Sequence, residues 1–134
     1  MNNIDLTNYW VESSDSDFET FEVLYKNQKN TWCLFIGHLI IEKLLKGIYA
    51  KHNKDNPIAP KTHNLILIAQ KAEINVPKEI REKIQIINTF NISSRYDDYK
   101  KTFAQMCTNE YTEKQVKNVK EVREWLKEQL IKKS

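Results

Sequence analysis

The residues best equipped for chemistry in this chain are an arginine set among tyrosines and aspartates, and two histidines that lie near charged partners. Arg95 stands in Ser93-Ser94-Arg95-Tyr96-Asp97-Asp98-Tyr99, where a planar fork able to hold an anion through paired hydrogen bonds adjoins two aromatic rings and two carboxylates. Such a set suits a phosphate on Arg95 with a base stacked on Tyr96 or Tyr99. It suits equally an arginine that pins its own loop by pairing with Asp97, Asp98 or Glu42, because structural ion pairs are common.

His38 and Glu42 are one helical turn apart, and Lys46 continues the same side one turn on, with Lys43 beside it. These residues form either a polar groove open to a ligand or, the favoured reading, a core-edge histidine satisfied by its neighbour. His63, in Thr62-His63-Asn64-Leu65, opens a helix. Its expected role there is to cap that helix or tie the loop to the preceding one, with ligand contact as the alternative. No metal site is expected, because His38, His52, His63, Cys33 and Cys107 show none of the paired short spacings that mark zinc ligands. A glycine-rich phosphate loop is excluded, since the chain's only glycines are Gly37 and Gly47.

The elements that must position these groups are helical. With 134 residues, 40% hydrophobic and 29% charged, and with two Gly and three Pro, the chain has the makeup of one helical globular domain, residues 1–134. Its net charge of +3 is spread along the sequence, which permits nucleic-acid contact without arguing for it. Two cysteines are too few for a disulfide framework and read as buried free thiols. No apolar run reaches the roughly 18 residues that span a bilayer, and the N-terminus lacks a basic head and an apolar stretch. The expectation is a cytoplasmic protein with no membrane contact and no cofactor.

A first helix is predicted from Asn8 to Lys29 on the spacing of Trp10, Phe18, Phe21 and Tyr25, with a weak point at Ser13 to Asp17, where cap-forming residues gather. The second runs from Asn30 to His52. On it Leu34, Ile41, Leu44, Leu45 and Ile48 share one face, while Trp32, Ile36 and Leu39 lie opposite. Thr62 is the expected N-cap of a short helix carrying Leu65, Ile68, Ala69 and Ala72, and Pro77 opens a helix with Ile80, Ile84 and Ile87 on one stripe. Residues 91–109 read as irregular, with a helical turn around Phe103 to Cys107. Thr112 and Gln115 read as a capping box for the last helix, with Val116, Val119, Val122, Leu126 and Leu130 inward. The fold class is therefore all-α, an up-and-down bundle of four or five helices. A helix apolar on two sides needs cover from two directions, so a homodimer built on the first two helices is expected.

The string WCLFIGHLIIEKLLKGIYAKHN, then PIAPKTHNLILIAQKA, then SRYDDYK, resembles the HEPN family of small α-helical domains across roughly residues 9 to 131. In that family the ribonuclease members carry an Arg followed, four to six residues on, by a His. Here Arg95 is followed by Tyr-Asp-Asp-Tyr-Lys-Lys-Thr, and neither Arg81 nor Arg123 has a His in range, so that motif is absent. What the resemblance then implies is a non-catalytic protein that binds a nucleotide or nucleic-acid phosphate and accompanies a small nucleotidyltransferase, as in a toxin-antitoxin-type module. The ligand set would be Arg95, Tyr96, Asp97 and Tyr99 facing Lys43, Lys46, Glu42, His38 and His63. The rival readings are a ribonuclease toxin that uses displaced residues such as His63 or His38 with Arg95, and a plain helical scaffold.

Overall fold

The computed structural model describes residues 1–92 and 96–132, and the described residues form six α-helices: α1 (Asn3–Lys26), α2 (Asn30–His52), α3 (Leu65–Lys71), α4 (Lys78–Asn88), α5 (Asp97–Met106) and α6 (Asn109–Ile131). The class is all-α as expected, with six helices among the described residues where periodicity suggested four or five.

α2 is the central element and touches every other helix. Leu34, Ile41, Leu44, Leu45 and Ile48 on its predicted inner face are fully buried, as are Cys33 and Ile40. α1 lies antiparallel against it: Phe21 meets Gly37, Ser14 donates to the Ile40 carbonyl at 3.0 Å, and Asn3 reaches the Lys51 carbonyl. α6 runs alongside in the direction of α2, with Asn30 donating to the Cys107 carbonyl and to Asn109 at one end and Lys51 donating to the Leu130 carbonyl at the other. Where the three cross, a Cβ on Gly37 would stand 3.1 Å from both Phe21 and Val119. A glycine here lets two helices approach α2 more closely than any side chain would allow.

α1 begins earlier than predicted, because Asn2 caps it by accepting from the Asp5 amide at 2.8 Å. It passes unbroken through Ser13 to Asp17, and the reason is tertiary. Ser13 accepts from Lys43, Ser14 bonds across to α2, Asp15 holds Arg123 and Lys127 of α6, and Asp17 pairs with Lys43 at 2.7 Å. Side chains that in isolation compete with the helix for hydrogen bonds are here spent on neighbouring helices.

Three boundaries correct the sequence reading. The cap of α3 is Asn64, which accepts from the amides of Ile66 and Leu67, while Thr62 accepts from Asn64 itself. Residues 97–106 form a ten-residue helix in place of the predicted loop, and its Phe103 packs on Phe90. α6 starts at Asn109, capped by Thr108, so Thr112 and Gln115 lie buried inside the helix and are not a capping box. Pro77 precedes α4 as its N-cap residue, and Ile80, Ile84 and Ile87 are buried as predicted. Both cysteines are free and buried; burial raises both thiols and pushes Cys33 up to about 12.

Candidate functional site

The polar edge of α2 is built around a buried carboxylate. Glu42 is one helical turn beyond His38 and one before Lys46, and its side chain is only 6% exposed. One oxygen accepts from Lys46 at 3.0 Å, and the other accepts from Nδ1 of His63 at 2.9 Å. Lys46 also lies over the Trp10 ring, 5.4 Å from its centroid, so its charge is held on two sides. His38 is fully buried and its Nε2 donates to the carbonyl of His63 at 2.9 Å. Burial holds the His38 imidazole below its usual range, with Glu42 working in the opposite direction. In that neutral form Nδ1 carries a lone pair, stands 3.8 Å from Glu42 and has no hydrogen-bond partner.

The result is that His63 is fixed through both its backbone and its ring while the imidazole itself stays 56% exposed. Because a carboxylate only accepts, Nδ1 of His63 is the donor. A surface side chain anchored by two buried groups is unusual, since exposed rotamers ordinarily cost entropy to hold.

Lys43 points elsewhere, into the polar seam with α1 through Ser13 and Asp17. Of the expected cluster around Arg95, the arginine itself lies outside the described residues. Tyr96 is exposed, and Asp97 and Asp98 occupy the first turn of α5, where carboxylates complement the helix dipole. Tyr99 is half-buried and donates to the Thr89 carbonyl at 2.8 Å. The structure thus joins His38, Glu42, Lys46 and His63 into one network and places Lys43 in a separate one.

Residues flanking 93–95 in the chain border a cavity that sequence patterning did not single out. Ile92 and Lys100 line it together with Lys29, Asn30, Trp32 and Phe35 from the α1–α2 turn and the start of α2. It measures about 650 Å³, within the range of small-molecule sites. No carboxylate lines it, and neither Lys29 nor Lys100 has an ion-pair partner among the described residues. α2 starts without a side-chain cap, and Lys29, Asn30 and Thr31 at its start line the same cavity. Asn30 and Lys46 are about 24 Å apart at 1.5 Å per residue, so the cavity and the Glu42 network are separate places on one helix. The sequence signal that would have found the cavity is the absence of acidic residues from 23 to 41, next to exposed Trp32.

Among the described residues no group of three or more His, Cys, Asp or Glu side chains is arranged to hold a metal ion, and no helix is long and apolar enough to cross a membrane.

The HEPN domain family matches residues 7–129, and the chain belongs to that family. In fold it is similar to the crystal structure of TT1696 from Thermus thermophilus, with a TM-score of 0.78 at 18% identity, covering 97% of this chain and 100% of that one. Among curated proteins none matches the chain.

Proposed function

We propose that this HEPN chain binds the phosphate of a nucleotide or of RNA without ribonuclease chemistry, and that it works as the binding or regulatory half of a pair with a nucleotidyltransferase-like protein in a toxin-antitoxin-type module. The observation that carries the binding claim is the acid-free cavity lined by Lys29, Lys100 and Ile92, the last being the described residue that precedes 93–95 in the chain. In a chain with 18 acidic residues, a wall that offers Lys29 and Lys100 with no carboxylate and no ion-pair partner selects an anion. Arg95 would add a fork for paired hydrogen bonds. The non-catalytic part rests on the missing Arg-to-His spacing. The partner is what membership of the family suggests, and identification of the neighbouring genes tests it. Co-purification with a small nucleotidyltransferase supports the pair, and its absence when both are co-expressed contradicts it.

A homodimer belongs to the same proposal. Ile36 and Leu39 of α2 remain only half-buried, Ile36 at the edge of the core, and burying one such side chain fully contributes roughly 1.5 to 3 kcal/mol. Light scattering at micromolar concentration should give about twice the chain mass of 16.0 kDa.

One observation favours the rival ribonuclease reading. A histidine whose Nδ1 is held by a buried carboxylate while more than half of its ring side chain is exposed has the arrangement of a general base. It could take the proton of an RNA 2′-hydroxyl as that oxygen attacks the adjacent phosphorus and the 5′-oxygen leaves. Growth arrest on expression, with RNA cleavage lost in His63→Gln and in Arg95→Ala, would establish this reading over the first.

A further inference from the structure

We propose that the Trp32–Phe35 wall of the cavity beside the α1–α2 turn is a stacking platform for an unpaired nucleobase, so that the ligand is a mononucleotide or single-stranded RNA. This deepens the phosphate-binding reading and rests on it.

Trp32 is 58% exposed at the start of a helix whose neighbouring positions Cys33 and Leu34 are fully buried. It is held in place by an edge-on contact with Phe35, ring centroids 6.0 Å apart at 76°. An indole braced by a second ring yet more than half exposed keeps π-surface available to a ligand, at little further entropic cost to order it on binding. Every nucleobase has a π-face, so such a platform accepts bases with little regard to sequence.

The surrounding charge decides what kind of aromatic ligand fits. Lys29 and Lys100 line the same cavity as the ring pair and no acidic residue joins them, so the ligand that fits is a planar group that carries negative charge. The first turn of α2, which has no side-chain cap, lines the same cavity next to Lys29, and a helix N-terminus favours an anion. Two other cavities of comparable size lack this pairing. The one of about 520 Å³ mixes Arg123 and Lys127 with Glu124 and Glu128, and the one of about 510 Å³ sets Lys26 against Glu110 and Glu113. A double-stranded helix hides its base faces and could not use the platform, whereas a free nucleotide or a single strand can.

Three tryptophans are present, and Trp10 and Trp125 are half-buried, so quenching of the most exposed one reports the site. With calorimetry reading affinity in every variant and tryptophan fluorescence followed alongside in the wild type, the protein is titrated with adenosine 5′-monophosphate, with ribose 5-phosphate, which keeps the sugar and phosphate but has no base, and with a short single-stranded oligoribonucleotide and its duplex. The mononucleotide and the single strand should quench fluorescence and bind about tenfold more tightly than ribose 5-phosphate and the duplex respectively, a ratio in the range of one stacked base. Trp32→Ala should lower nucleotide affinity to the level of ribose 5-phosphate and leave ribose 5-phosphate binding unchanged, while Trp32→Phe retains most of it. Equal affinity for the nucleotide and ribose 5-phosphate overturns the platform but leaves phosphate binding standing. The same holds if Trp32→Ala binds nucleotide as well as the wild type. Failure of every phosphate ligand to bind overturns both readings. A Trp32→Ala chain that loses its dimer and keeps its nucleotide affinity also overturns the proposal, by assigning Trp32 to the contact between copies.

Discussion

Glu42 accepts a hydrogen bond from Nδ1 of His63 at 2.9 Å, and these two residues, 21 positions apart, tie the loop before α3 to the middle of α2. The carboxylate is buried and its second oxygen holds Lys46, so the tie is a charge network and not a surface pair.

Removing its centre should therefore be costly. Glu42→Ala leaves Lys46 as a largely buried cation without its counter-charge, and breaking a buried pair in this way costs about 3 kcal/mol or more. Glu42→Gln keeps an oxygen acceptor and should cost about half as much. Urea unfolding measures both; equal and negligible losses in the two variants would show the network to be energetically idle.

His38 makes stability depend on pH. Its folded-state imidazole titrates below the ordinary value of 6.5, chiefly because it is buried, so the unfolded chain binds the proton more readily. Stability from this group is complete above pH 6.5 and falls as pH drops below it toward the lowered value, by at most about 1.4 kcal/mol per pH unit. His38→Gln, which can still donate to the His63 carbonyl, should flatten the profile between pH 7 and 5. An unchanged slope would contradict this assignment, because Glu42, His63 and Lys46 all remain in the variant.

The two glycines of α2 should respond oppositely to alanine. At Gly37 a methyl group meets Phe21 and Val119 at 3.1 Å from two different helices, both residues are buried, and overpacking should destabilise by about 1 to 3 kcal/mol. At Gly47 the nearest atom is 3.4 Å away, an ordinary contact, so the gain in helix propensity of up to about 1 kcal/mol should be realised. Thermal unfolding of both variants decides it, and a destabilised Gly47→Ala or a neutral Gly37→Ala would contradict the packing described.

The sequence carried the class of fold and the core of α2 because both depend on local periodicity: Leu34, Ile41, Leu44, Leu45 and Ile48 can be placed on one face by spacing alone. The His38–Glu42–Lys46 row was legible for the same reason. Partners supplied from afar were not legible. Ser13 to Asp17 read as a weak point in an otherwise continuous helix because the partners that occupy its side chains are on α2 and α6. Thr112 and Gln115 mimic a capping box, yet the true cap, Thr108, lies a turn earlier beside buried Cys107. α5 has two aspartates in its first turn and few apolar residues besides Phe103 on its inner side, so periodicity alone undervalued it. The cavity at Trp32 was hidden because its walls come from three separated stretches of chain.

The central claim, a site for a nucleotide or RNA phosphate at the cavity lined by Lys29 and Lys100, is tested most directly by calorimetric titration of a mononucleotide into the wild-type protein, alone and with the proposed nucleotidyltransferase-like partner, and into Lys29→Gln, Lys100→Gln and Arg95→Ala. The account predicts measurable binding to the wild type. It also predicts losses of at least several-fold in each variant, as expected when a hydrogen bond to a charged group worth about 1.5 to 3 kcal/mol is removed, with unfolding transitions unchanged. No heat of binding to the wild type under either condition, or full affinity in all three variants, would contradict it.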